Sequence, residues 1–457
     1  MLRPLHDPAC RAIRLLLAIS AFTAGCGASP QPRNLLLISL DTLRADHLGC
    51  YGYQRPTSPF LDRLASQGVL FEQAYATSPW TLPSHASLFT GLYPSQHGVM
   101  TEELALPGDL PTLAEALRER GFATAGFVSG IFVGPRFGLG RGFERYLAIP
   151  TRAKSGGSAT SLSATDRVSA GGLEWLAARD GRPFFLFLHY FDIHSDYRPE
   201  PRFAEQFGKP YHGPVDGSTR QLLAFLRRQI AFDADDRAHL VDLYDAEIRQ
   251  LDQGLENLFA ELRERGALEQ TVVVVTADHG EELFDHGGVF HGQTQYQEML
   301  RVPLVLVGPG IPRGLRIDQP VSLVDLVPTL LTLLGAEMSP SVSGRDLAPL
   351  WQGGGAGWPE RDLFAEANST SEGGSPQRAV LRGRWKLVLH ASGQRELFDL
   401  GGDPSERVNR AAAEPERTAD LASQLTTRLG SVRKAPALPR LSPAMRKQLE
   451  ALGYLRE

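Results

Sequence analysis

Short, almost wholly apolar runs recur along this chain, separated by stretches in which apolar residues return every three or four positions. The runs at 34–40, 123–128, 184–190, 271–276 and 303–307 have strand length, and their near-continuous apolarity marks strands covered on both faces. Between them, Ile248, Leu251, Leu255, Leu258 and Leu262 fall at helical spacing and predict a helix over 241–266, stopped by Gly266. A second helix is expected over 111–120, with Pro111 near its first turn and Gly121 at its end. This alternation, from residue 34 to about 350, predicts an α/β domain built on a mostly parallel sheet flanked by helices.

Two stretches break the rhythm: a Gly/Ser/Thr-rich one at 151–165 and a Pro- and charge-rich one at 198–238. Both read as surface insertions, which either shape substrate access or have no role beyond connection. After the Gly-rich WQGGGAGW the pattern changes to short strands in RAVLRGRWKLVLH and RELFDL with a turn at ASGQ, which predicts a small antiparallel-sheet subdomain over 360–435. The tail at 441–457 reads as one helix, with Ser442 before Pro443 at its start.

Composition sharpens this picture at two places. With 42% hydrophobic and 22% charged residues in 457, the chain supports one large or two unequal cores. A net charge of −5 gives no basic face for nucleic acid. At the start, Arg3, Arg11 and Arg14 precede the apolar run 15–22 and the small residues of TAGCGAS, the arrangement of an export signal over 1–26. Cys26 is expected to become a lipidated first residue, placing the protein in the periplasm or cell envelope; a plain cleaved signal and a short anchor are the alternatives. Cys10, Cys26 and Cys50 make no disulfide framework.

The candidate chemistry lies at the strand ends. The run NLLLISLD delivers Asp41, and TVVVVTADHG delivers Asp278 and His279, to the carboxyl edge where open α/β sheets hold ligands. Two carboxylates and an imidazole suit a divalent cation, with Zn or Mn favoured and Ca or Mg compatible. In SPWTLPSHASLFTG, Thr81 heads a short helix ended by Gly91, so its hydroxyl is either a helix cap or a nucleophile facing an anion-binding helix start. A cation beside that oxygen would lower its pKa, making Thr81 a fourth metal-site residue as well as the nucleophile. His194 in FDIHSDY and His291 in FDHGGVFHG are candidates to hold a tetrahedral anion or protonate its leaving oxygen. His85, His97, His189 and His286 read as structural histidines.

From about Asn34 to Glu406 these motifs, in this order, resemble the sulfatase family of the alkaline phosphatase superfamily. The resemblance implies metal ligands at Asp41, Asp278 and His279, the nucleophile at Thr81, and a substrate-contacting role for His194. It also has departures. Thr stands where formylglycine-forming members carry Cys or Ser, His85 where they carry Arg, Thr42 where they carry a second metal-binding Asp, and Gln293 where a sulfate-binding Lys is expected. A Thr nucleophile is instead similar to phosphoethanolamine transferases and lipoteichoic acid synthases of the same superfamily, whose later His motif VFHGQTQYQEMLRVPLVL resembles, onto His291. Tyr190 occupies the place of an Asp that binuclear relatives need, so this resemblance implies one ion. The expected activity is hydrolysis or transfer of phosphate esters through a covalent Thr81 intermediate, on a substrate such as an envelope glycan or lipid head group. A sulfuric ester hydrolase without formylglycine and a catalytically silent binding protein of the same fold are the other readings.

Overall fold

The computed structural model describes residues 32–150, 163–208, 210–337, 342–353, 355, 357–368 and 375–439. The expected export signal with Cys26, most of the 151–165 insertion and the tail helix at 441–457 lie outside the described residues.

The main sheet has eight strands: β1 (Asn34–Leu40), β2 (Val69–Phe71), β3 (Ala123–Ser129), β4 (Arg145–Ile149), β5 (Phe184–Tyr190), β6 (Thr271–Thr276), β7 (Leu304–Val307) and β8 (Leu315–Ile317). Their spatial order is β8-β2-β7-β6-β1-β5-β3-β4. All pairings are parallel except those of β7, which runs against both β6 and β2. The apolar run at 303–307 is therefore a strand as expected, and its direction is set by the chain's return from the site loops. In the central strands β1, β5 and β6 nearly every residue is buried, consistent with helices on either side of a parallel sheet.

Two helices differ from expectation in length. The 241–266 pattern belongs to a helix of 31 residues, Ala234–Glu264, whose start lies inside the stretch read as an insertion. Asp233 caps it by accepting from the Asp236 backbone N–H, and Asp236 returns the bond to Asp233, so the acidic residues there build a capping box. The same stretch also holds helices Pro201–Phe207 and Thr219–Leu226. The helix read at 111–120 is Leu113–Glu119, capped by Thr112 with Glu115; Pro111 stands before the cap.

The C-terminal subdomain is a four-stranded antiparallel sheet in sequential order, β9 (Leu363–Ala367), β10 (Gln377–Arg382), β11 (Trp385–His390) and β12 (Arg395–Asp399). Strand β9 and the covering helix Pro415–Leu429 were not read from the sequence; Leu421 and Leu425 of that helix bury against Val380, Leu387 and Leu397. Two ion pairs within the subdomain also accept hydrogen bonds from the main body. Glu366 accepts from the backbone and hydroxyl of Ser95 and from Arg428. Lys386 and Glu406 pair at 2.8 Å with neither side chain exposed, while Glu406 also accepts from the backbone N–H of Gln297. Removing one partner of such a pair strands a buried charge, so Lys386→Met is expected to cost about 3–5 kcal/mol, read as a lower denaturation midpoint.

Candidate active site

The site forms where β1 and β6 end. These strands are parallel neighbours with Ser39 opposite Thr276, so the residues that follow them, Asp41 and then Asp278 and His279, leave the sheet along one edge. The helix Thr81–Thr90 is held against that edge by the Ser84 hydroxyl, which donates to the Asp278 carbonyl at 2.6 Å. Gly91 ends the helix with φ 68°, a left-handed conformation that suits glycine.

Trp80, in extended conformation, occupies the N-cap position, and the Thr81 side chain makes no cap. The capping reading of Thr81 is thereby set aside. Its hydroxyl lies 3.2 Å from His279 Nε2 instead. His279 Nδ1 donates to the Gly280 carbonyl at 2.9 Å, which fixes the ring's hydrogen on that nitrogen and leaves the Nε2 lone pair turned inward. That lone pair is 3.4 Å from Asp278 Oδ2 and 3.7 Å from Asp41 Oδ1.

All of these groups are buried, and the carboxylates lack the donors that burial ordinarily demands. Among the described residues, neither oxygen of Asp41, nor Oδ2 of Asp278, has a hydrogen-bond partner. Burial pushes both carboxyls up to about 7, with the charge of Asp41 adding to the shift at Asp278 and the imidazoles opposing it. Burial also holds His279 down to about 4. Orphaned carboxylate oxygens facing an imidazole lone pair and a hydroxyl form a donor set for a divalent cation; Asp41, Asp278 and His279 offer atoms within 4.8 Å of one another.

His291 and His194 line up beyond the metal ligands. The His291 ring centroid is 4.5 Å from that of His279 and 4.9 Å from that of His194, and His194 stacks on Phe191 at 4.1 Å. His194 Nδ1 donates to the Ser195 carbonyl at 3.0 Å, so its hydrogen too is fixed. The structure thus gathers all six sequence-predicted residues, Asp41, Thr81, His194, Asp278, His279 and His291, into one place.

Three residues that sequence reasoning left out join them. Glu281 Oε1 sits 3.0 Å from His291 Nδ1, and burial raises the carboxyl to about 8 and lowers the imidazole to about 4. Glu281 stands in the TADHGEE motif, and its role was concealed because only the folded loop brings it to His291. Glu281→Gln is expected to lower kcat about 10–100-fold with little change in KM, since it disturbs the orientation and tautomer of His291. His85 and His189, read as structural, are both fully buried beside Asp278 and Asp41, 3.4 Å from Asp278 Oδ2 and Asp41 Oδ2 respectively. By contrast His97 and His286 are structural as expected: His97 bonds Ser87 and the Val99 backbone, and His286 bonds Glu298 and stacks on Tyr296.

Gly280 explains how His279 is aimed. Its backbone N–H donates to the Met299 carbonyl, and an added Cβ would come within 1.9 Å of the Glu298 carbonyl oxygen. Gly280→Ala must therefore push the two backbone segments away from each other. It is expected to destabilise the fold by about 1–3 kcal/mol, with weakened metal binding in the same titration.

Ligand-type residues able to hold a divalent ion, beside a hydroxyl at a helix start on the carboxyl edge of a mostly parallel sheet, form the site of a hydrolase. The chain belongs to the sulfatase family: residues 33–336 match the family model described as Sulfatase, and residues 285–435 match that of the N-sulphoglucosamine sulphohydrolase C-terminal region. Arylsulfatase K of Mus musculus is 26% identical across 90% of this chain and 84% of its own length. Steryl-sulfatase of the same organism is 30% identical across 74% of this chain and 70% of its own. The phosphonate monoester hydrolase of Agrobacterium radiobacter superposes with a TM-score of 0.73 at 22% identity, over 90% of this chain and all of that one.

Proposed function

We propose that this hydrolase acts on phosphate esters, with Thr81 as nucleophile. The observation that carries the reading is the Thr81 hydroxyl itself: it caps nothing, lies 3.2 Å from His279 Nε2, and heads a helix whose free N–H groups favour an anion. Threonine has no primary carbon to oxidise to an aldehyde, so formylglycine chemistry is closed to it. In the proposed reaction Thr81 gives its hydroxyl proton to the imidazole of His291 or His194 as Oγ1 attacks phosphorus, the bond from phosphorus to the leaving oxygen breaks, and the imidazolium passes that proton to the leaving oxygen. Water or an acceptor alcohol then attacks the phosphothreonine, giving up its proton to an imidazole and releasing Thr81.

Asp41, Asp278, His279 and Thr81 would hold a divalent ion, with one imidazole tilting the choice towards Zn or Mn over Ca or Mg. Such an ion supplies positive charge to the ester oxygens and lowers the pKa of the Thr81 hydroxyl. Glu281 keeps His291 in one orientation, and the His194 ring is held by Phe191 and the Ser195 carbonyl.

One observation favours a second reading. The chain's matches to sulfatases extend through the C-terminal subdomain, which suits a sulfate ester cleaved by the same in-line attack. A panel of phosphate monoester, phosphodiester and sulfate ester substrates separates the two. The phosphate reading expects the larger kcat/KM on a phosphate ester, and turnover confined to the sulfate ester contradicts it. The export signal read over 1–26 supports an envelope substrate, such as a glycan or lipid head group carrying the phosphate.

A further inference from the structure

Asp278 belongs to two groups of potential ligands. One is Asp41, Asp278 and His279; the other is His85, His189 and Asp278, whose donor atoms also lie within 4.8 Å of one another. The proposed reaction uses neither histidine of the second group.

Its key member is His189, in β5, where it pairs in register with Ser39. His189 Nδ1 is 2.6 Å from the Ser129 carbonyl, and since a carbonyl only accepts, Nδ1 carries the ring hydrogen. The lone pair is therefore on Nε2. That nitrogen is fully buried without a hydrogen-bond donor among the described residues and lies 3.4 Å from Asp41 Oδ2, an oxygen equally without one. Two lone-pair atoms facing each other in a dry interior repel unless something positive lies between them. Ligands about 2.1 Å from a shared ion, at angles between tetrahedral and octahedral, stand roughly 3.0–3.4 Å apart, which matches this separation.

The two oxygens of Asp41 address different partners. Oδ1 faces His279 at 3.7 Å and Oδ2 faces His189 at 3.4 Å. Asp278 Oδ2, also without a donor, is 3.4 Å from both His279 Nε2 and His85 Nδ1. A carboxylate placed this way bridges two ions some 3.5–4 Å apart, the spacing of two-metal centres. His85 borders the second position and does not ligate it, because its Nδ1 is already 2.9 Å from the Thr81 carbonyl.

We propose that a second cation binds here, on Asp41 Oδ2, Asp278 Oδ2 and His189 Nε2, beside the ion proposed on Asp41, Asp278, His279 and Thr81. The proposal rests on the reading of that first centre. It places the second ion on the β5 side of Asp41, away from His194 and His291. The donor set of two carboxylates and an imidazole suits Zn or Mn.

The test is metal content. The full chain is stripped, reloaded with Zn²⁺ alone, dialysed and analysed by inductively coupled plasma mass spectrometry, with calorimetric titration giving the stoichiometry independently. Wild type is expected to hold about two ions per chain, and His189→Gln and His189→Phe about one, each with an unchanged far-ultraviolet circular dichroism spectrum. One ion in wild type overturns the second site and leaves the first standing. None overturns both. Two ions retained in both His189 variants would place the second ion elsewhere and overturn the assignment. Should either variant fail to fold, the wild-type stoichiometry and the other variant still decide the matter.

Discussion

Replacing Thr81 with Ala should lower turnover by about 10⁴-fold or more, the scale of losing a nucleophile from a site whose members act together. The fold should barely notice. Thr81 contributes no cap, and what it loses is one hydroxyl hydrogen bond to His279, worth roughly 1 kcal/mol, and one methyl, worth roughly 0.8 kcal/mol. Alanine's better helix propensity returns part of this. Metal content should persist, because Asp41, Asp278 and His279 remain. Thr81→Ser, which keeps the oxygen in place, should retain activity within about tenfold of wild type. Steady-state kinetics, metal analysis and thermal denaturation on the three proteins check all of this together, and wild-type activity in Thr81→Ala would remove Thr81 from the mechanism.

Asp278→Asn carries a less intuitive expectation, in which function and stability move in opposite directions. The variant should lose bound metal and, with it, about 10³-fold or more in activity. Under chelation, however, it should be more stable than wild type. Metal-free wild type buries two carboxyls against each other, both raised to about 7, whereas the amide removes one buried charge while its oxygen still accepts from the His279 backbone N–H, as Asp278 Oδ1 does at 3.0 Å. The sign with pH follows from those raised values. A carboxyl whose folded pKa lies above its unfolded one contributes stability that is present below about pH 4 and is lost as pH rises through about 7. The advantage of Asp278→Asn over chelated wild type should therefore widen across that window. A chelated wild type that is the more stable protein at pH 8 would mean that the carboxylates are compensated by groups of the protein itself.

Much of the site was legible because each of its main residues follows a strongly apolar strand or heads a helix, and parallel strands bring such ends to one edge. Asp41, Asp278 and His279 could be placed together without knowing the strand order. His189 could not: one histidine inside the apolar run FFLFLHY looks like a core residue, and its approach to Asp41 depends on the pairing of β5 with β1. Glu281 was hidden for the same reason, since its partner lies ten residues on across a small hairpin of Glu282–Leu283 and Val289–Phe290. In the fold, the direction of β7 follows from a long connection and not from local pattern. The early start of the Ala234–Glu264 helix was masked by polar residues that in fact form its cap. Thr81 was ambiguous in the sequence because only the folded chain shows Trp80 in the cap position.

The central claim is that Thr81 carries the group being transferred. Its most direct test is acid-quenched intact-protein mass spectrometry, with peptide mapping, after separate incubations with a phosphate ester and a sulfate ester. The phosphate reading predicts a phosphoryl adduct, mapped to the peptide containing Thr81, that accumulates with the phosphate ester and is missing from Thr81→Ala. Turnover of the phosphate ester by Thr81→Ala at the wild-type rate, or an adduct on Thr81 that forms with the sulfate ester alone, would contradict it.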